Sequence, residues 1–274
     1  MSDLVVATEA GLFCPAGGFY IDPWLPVERA IVTHAHADHA RPGSQKYLCA
    51  ADGVHVLRTR LGPDAAMETV AYGQTLSFDG VIVSLHPAGH VLGSAQVRIE
   101  NRGEVWVASG DYKVAADRTC AGFEPLRCHT FITESTFGLP IYRWPLEAVV
   151  WDEINRWWRG NAEAGQCSLV YAYALGKAQR LLSGVDASIG SIYCHGAVER
   201  LNADYRTSGI ELPPTEYVGD VTDNKMFRTA LVVAPPSARG TPWVSRVAFR
   251  SRGAARWRSA RWRNRRLERR RSDG

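Results

Sequence analysis

Through its first 135 residues the chain alternates apolar and polar positions in short bursts, each closed by Gly, Pro or a polar cluster. Period-two runs bounded by turn residues predict strands. They fall at 27–33, 81–85, 96–99 and 105–109, with a short buried strand at 131–133. From Trp144 the period lengthens. Pro145 suits a helix start, and Leu146, Val149, Val150, Ile154, Trp157 and Trp158 then form a broad apolar helical face. Strands follow at 168–173, 191–194 and 229–234, with a second helix beginning within 175–182. Strand–helix–strand alternation predicts a partly parallel α/β unit. The change of pattern puts a domain boundary near residue 140, dividing the chain into 1–140 and 141–245. No strand or helix period runs through 246–274.

Composition narrows the class. The chain is 46% hydrophobic, enough to fill a core, and contains no run of 18 apolar residues, so no membrane span is expected. Met1-Ser2-Asp3-Leu4 carries no basic stretch of the kind that opens a secretory signal. The six cysteines (14, 49, 120, 128, 167 and 194) form no CxxC pair. That excludes a zinc ribbon or a disulfide scaffold and fits a reducing, cytoplasmic setting.

The net charge of +4 conceals an asymmetry. Residues 246–274 hold 12 Arg against Glu268 and Asp273, a net of +10. The other 245 residues hold 20 basic and 26 acidic side chains, a net of −6. The body is mildly acidic, and one short tail supplies the basic excess.

The chemistry is announced by Thr33-His34-Ala35-His36-Ala37-Asp38-His39. On an extended segment, His34 and His36 point the same way. Asp38 and His39 follow where the chain must turn, so they can address a second metal beside the first. Imidazole suits zinc, and carboxylates also tolerate manganese. Two further ligands are expected from distant strand ends. His90 lies in Pro87-Ala88-Gly89-His90-Val91-Leu92-Gly93, where glycines let backbone approach closely. Asp111 follows an apolar strand, and its carboxylate can bridge two metals. Asp22 either orients a ligand histidine or makes an Asx turn before Pro23. Glu134 holds a ligand histidine, guides a proton, or is a turn carboxylate. Two metals lower the pKa of a bridging water and clamp the attacked centre, so the nucleophile is a metal-activated hydroxide. His55, His86, His129 and His195 are read as ordinary surface or core histidines.

Asp22, the HxHxDH run, His90 and Asp111 together resemble the first four motifs of the metallo-β-lactamase superfamily. Glu134-Ser135-Thr136-Phe137-Gly138 resembles motif A of its β-CASP branch, whose members cleave nucleic acids. Ala-Leu-Gly-Lys177-Ala-Gln-Arg, His195-Gly-Ala-Val-Glu and Ala-Pro-Pro-Ser237-Ala are similar to segments of bacterial ligase-associated DNA exonucleases. The resemblance runs from about residue 3 to about 245. It implies an α/β architecture: an αββα metallo-β-lactamase domain (1–140), incomplete in this chain, with an appended β-CASP domain (141–245). His34, His36 and His90 would bind one zinc, Asp38 and His39 the other, and Asp111 would bridge them. Asp38, Glu134 and Asp22 would support catalysis. The substrate implied is DNA, and the partner an ATP-dependent DNA ligase.

The chain departs from that family at its end. The branch carries two more histidines, one a general acid and one a ligand of the second metal, but 238–274 contains no histidine. His195-Gly196 sits in a different context and is not assigned that role. The tail reads either as an arginine-rich arm with Trp257 and Trp262 for stacking, or as an out-of-frame stretch, which also accounts for the abrupt loss of aliphatic residues. Weak binding of the second metal and low activity are expected. The leading function is a metal-dependent DNA exonuclease. The alternatives are an RNA-processing nuclease and a nucleic-acid-binding remnant without turnover. A small-molecule hydrolase would leave the α/β unit after Glu134 unexplained.

Overall fold

The structure is a computed structural model that describes residues 3–134, 145–242 and 255–256. Three sheets organise it. The first has six strands in the order β1 (Val6–Thr8), β2 (Gly11–Cys14), β3 (Phe19–Ile21), β4 (Arg29–Ile31), β5 (Lys46–Ala50) and β6 (Met67–Val70). It is antiparallel from β1 to β3 and parallel from β3 to β6. The second has five strands: β7 (Thr75–Phe78), β8 (Val81–Pro87), β9 (Ala95–Asn101), β10 (Glu104–Ala108) and β11 (Thr130–Ile132). Only its β10–β11 pair is parallel.

These two sheets share one apolar core. Phe19, Ile21, Ile31 and Leu48 from the first meet Val83, Leu85, Val97 and Ile99 from the second, all buried. On β8 and β9 the core residues sit two apart, the alternation that marks a strand with one face in the core. The outer face of the first sheet packs Ala30, Tyr47 and Cys49 against α1 (Val54–Leu61) and Tyr205 of α4 (Gly196–Thr207).

The third sheet contains β12 (Ser168–Tyr171), β13 (Ile192–Cys194), β14 (Glu216–Tyr217), β15 (Leu231–Ala234) and β16 (Ala255–Arg256), in the order β14-β13-β15-β12-β16. Every pair is parallel. Its central strands are covered on both faces, so Leu169, Tyr193, Val232 and Val233 are all fully buried. One face packs on α2 (Glu147–Glu163) and α3 (Lys177–Leu182), with Trp158 at its centre, and the other on the turns around Val218, Phe227 and Ala238. Leu92 N–H donates to the Tyr205 hydroxyl (3.3 Å), tying the loop after β8 to α4.

Several expectations are corrected. The 131–133 strand is not buried: β11 borders its sheet among the described residues, and Phe131 is 40% exposed. The helix expected from Pro145 starts at Glu147, because Leu146 is extended (ψ 140). The first 135 residues contain a helix, α1, as well as strands. The tail expected to lack any strand pairs Ala255–Arg256 with Ser168–Leu169, since backbone pairing on the edge of β12 needs no side-chain pattern. The rest of the tail, most of the motif-A segment after Glu134, and the boundary near 140 lie outside the described residues. No described helix is long and apolar enough to cross a membrane.

Candidate metal centre

The loop 33–40 leaves the C-terminal end of β4, a parallel strand held on both sides. Ala95 N–H donates to the Thr33 carbonyl (2.8 Å), pinning the loop to β9. His39 and Ala40 N–H both donate to the His36 carbonyl (3.2 and 2.8 Å), so Asp38 and His39 turn back over the loop. Gly110 (φ +53) abuts Thr33: a Cβ there would stand 2.5 Å from Thr33 Oγ1, so glycine lets the Asp111 loop close onto the histidine loop. The His90 loop is held by Ser94, whose Oγ accepts from the N–H groups of His90 (3.0 Å) and Val91 (3.2 Å).

These loops bring His34, His36, His90 and Asp111 into one group, with one donor atom of each within 4.8 Å of the others. His34 Nε2 and His90 Nε2 lie 2.9 and 3.2 Å from His36 Nδ1. Asp111 Oδ2 lies 3.2 Å from His90 Nε2 and 3.8 Å from His34 Nε2. Donors about 2.1 Å from a zinc ion at tetrahedral corners stand about 3.4 Å apart, so the donor set fits such a cation. His34 and His36 converge, but from a bent loop and through different nitrogens, not as neighbours on an extended segment.

A second group joins His39, Asp111 and Glu134. Asp111 thus belongs to both. His39 Nδ1 faces Asp22 Oδ2 at 2.7 Å, leaving Nε2 toward Glu134 Oε1 at 3.2 Å. Asp22 makes no local turn: its Oδ1 accepts from Thr33 N–H (2.7 Å), and the Thr33 hydroxyl donates to the same Oδ2 that faces His39. Asp38 is outside both groups. Its side chain is 75% exposed, with Oδ2 4.0 Å from His39 Nε2.

The electrostatics divide along the same line. Burial, then the neighbouring His39, His36 and His90, push the His34 pKa well down, and burial with His90 lowers that of His36. Both shifts favour the neutral ring, the form that ligates metal. Burial alone would lower His39 too, but Asp22, Asp111 and Glu134 outweigh it and raise its pKa to about 9. Burial raises Glu134, helped by Asp111, Asp38 and Asp22 and opposed by His39.

One participant had no signature in the sequence. The Leu175 carbonyl, 139 residues further along, lies 3.5 Å from His36 Nε2. It is a backbone atom, and only the packing of the β12–α3 loop brings it there. Three of the four remaining histidines make contacts elsewhere. His86 lies between Ser84 and Glu124, His129 Nδ1 accepts from Val105 N–H, and His195 caps α4.

No family model matches the chain. A "Probable DNA ligase" of Opitutus terrae is 30% identical over 240 residues, covering 86% of this chain and 23% of that protein. The "Endoribonuclease ysh-1" of Neurospora crassa is 28% identical over 233 residues, covering 75% and 26%. The "Cleavage and polyadenylation specificity factor subunit 3" of Dictyostelium discoideum is 34% identical over 124 residues, covering 44% and 16%. The chain belongs to the β-CASP branch of the metallo-β-lactamase superfamily. This β-CASP chain spans about a quarter, or less, of the length of these relatives. A crystal structure of a protein of unknown function from Enterococcus faecalis V583 shares the fold, with a TM-score of 0.52 and 12% identity over 75% of this chain and 58% of that one.

Proposed function

We propose that the chain is a metal-dependent phosphodiester hydrolase acting on nucleic acid, with DNA as its substrate. The observation that carries this reading is the pair of donor groups sharing Asp111. His34, His36 and His90 would hold one zinc (or manganese) ion and His39 a second, with Asp111 common to both groups; Asp38, which stands outside them, would turn inward to join His39. When bound, two such ions supply an activated water and neutralise charge building on the attacked phosphate. Asp22 fixes the His39 tautomer, and Glu134 lies where it can carry a proton at the edge of the site. The choice of DNA is supported by the similarity of most of this chain to a relative named as a DNA ligase. An ATP-dependent DNA ligase is the partner we infer. We further propose an αββα domain over 1–140, a β-CASP domain over 141–245, and a cytoplasmic setting, which fits six free cysteines.

A second reading, cleavage of RNA, is favoured by the endoribonuclease relatives, one of which matches 75% of this chain. The test is release of nucleotides from end-labelled DNA and RNA of identical sequence by the zinc- or manganese-loaded chain. Metal-dependent release, faster on DNA and lost in Asp111→Ala, is expected. Faster release from RNA would replace the substrate, and the same background with Asp111→Ala would remove the proposed centre.

A further inference from the structure

Tyr173 and Lys177 stand beyond the C-terminal end of β12, the end of a parallel strand at which ligands are bound in open α/β sheets. The loop joining them touches the metal centre at two independent points. The Leu175 carbonyl lies 3.5 Å from His36 Nε2. Gly176 (φ +82) abuts Val91, beside His90, so closely that a Cβ there would lie 2.4 Å from Val91 Cγ1.

This loop is held rigidly from beneath. Gly176 N–H donates to Gln179 Oε1 (2.8 Å), and Gln179 Nε2 donates to the Ala174 carbonyl (3.0 Å) and to Asn202 Oδ1 (2.8 Å). Gln179 and Asn202 are both fully buried. A buried, satisfied polar network specifies one conformation. What it presents on the surface is an aromatic ring and a cation. Tyr173 is 58% exposed, and the Lys177 ammonium sits 4.6 Å from its ring centroid. Arg180, on the same helix, pairs with Asp117 and Glu147, whereas Lys177 has no carboxylate partner among the described residues. The fold therefore orders a stacking surface and an unneutralised positive charge next to the ligands His36 and His90.

We propose that Tyr173 and Lys177 form a substrate-positioning subsite, in which the ring stacks on a nucleobase and the ammonium pairs with a phosphate flanking the one that is cleaved. The subsite rests on the nucleic-acid reading of the metal centre. Stacking on an aromatic side chain tolerates any base, so the pair would set the register of the strand and not its sequence.

The test uses the full chain loaded with zinc and a fluorescein-labelled, phosphorothioate-linked single-stranded oligodeoxynucleotide, with binding read by anisotropy across a salt series. Lys177→Ala is expected to weaken binding and make the slope of log affinity against log salt shallower by about 0.7, the loss of one phosphate contact. Lys177→Arg should restore the slope. Tyr173→Ala should weaken binding about 5- to 150-fold with the slope unchanged, and Tyr173→Trp should retain it. Zinc content and the denaturation midpoint should match the parent chain in all four variants. Unchanged affinity and slope in Lys177→Ala and Tyr173→Ala would overturn the subsite and leave the metal centre standing. Loss of zinc, or equal weakening in the Arg and Trp variants, would overturn it in favour of a purely structural loop. Absence of binding by the parent chain would overturn the nucleic-acid reading, and the subsite with it.

Discussion

Asp22 holds His39: its Oδ2 lies 2.7 Å from the ring Nδ1, while its Oδ1 accepts from the Thr33 backbone at 2.7 Å. One carboxylate thus fixes both a histidine and the loop that carries it. Asp22 does so with φ 44, in the left-handed region that few residues other than glycine adopt. An outer carboxylate of this kind sets ring orientation and is worth about 10–100-fold in metal affinity. Asp22→Asn should lower zinc affinity by that factor on the His39 side while sparing the His34–His36–His90 group. Zinc titration should then resolve one tight and one weakened step. Equal weakening of both would mean that Asp22 acts through the Thr33 backbone instead.

Glu134 and Asp38 both approach His39 Nε2, at 3.2 and 4.0 Å. Asp38 is the more exposed and the freer to swing inward once a cation offsets the carboxylates gathered here. Asp38→Asn is expected to lose the second metal. Glu134→Gln should keep both metals and lose at least about tenfold in turnover, within the range for a proton-transferring group. Metal analysis beside rate measurement decides between them. Loss of a metal in Glu134→Gln with none in Asp38→Asn would exchange their roles.

The site was more legible in the sequence than the path of the chain around it. His34, His36, His39, His90, Asp111 and Glu134 carry side chains whose chemistry is readable wherever they fall, and the structure gathers these six in two donor groups sharing Asp111, while Asp38, expected as a ligand, stands outside both. Asp22 was balanced between a turn and a support, because only the pairing of β3 with β4 brings Thr33 within its reach. Strands with one face in the core, such as β8 and β9, announced themselves by alternation. Short elements did not. Arg58, Thr59 and Arg60 dilute the apolar stripe of α1, which is helical because Val56 and Leu57 bury against the first sheet. The Leu175 carbonyl could not be read at all, since every residue has one.

Gly93 makes the closest backbone approach in the His90 loop. With φ +72, a Cβ there would lie 2.0 Å from Gly53 Cα, and backbone cannot step aside as a side-chain end can. Gly93→Ala should therefore cost about 2–4 kcal/mol, combining left-handed strain with overpacking. Gly62→Ala separates the two effects. Its φ is +105 with ψ 159, a backbone that is essentially glycine's alone, but a Cβ would meet nothing within 4 Å, so only the strain, about 1–3 kcal/mol, is expected. Urea denaturation of the two variants gives the comparison. Equal losses would show that the Gly53–Gly93 contact relaxes.

Asp117 is expected to contribute to the acid sensitivity of the fold. Its side chain is 3% exposed and lies 3.0 Å from Lys113 Nζ and 3.5 Å from Arg180 Nε, so it joins the loop after β10 to α3. Burial by itself would raise its pKa, but hydrogen bonds from Thr119 and Lys113 and the Lys113 charge outweigh that and bring it below the usual carboxylate value. The sign follows from linkage. A carboxylate held lower in the folded state adds stability that is fully present above its unfolded pKa of about 3.9, and that drains away as pH falls from there through the folded value. The parent chain should therefore lose stability steeply below about pH 4, where Asp117 takes up a proton and releases Lys113 and Arg180. Asp117→Asn should be less stable at neutral pH, by about 1–3 kcal/mol for the loss of charge-assisted hydrogen bonds to partly exposed cations. Its stability should also fall less steeply below pH 4. Urea midpoints measured from pH 3 to pH 7 on both proteins read the difference directly. Parallel curves across that range would mean that Asp117 does not govern the acid limb.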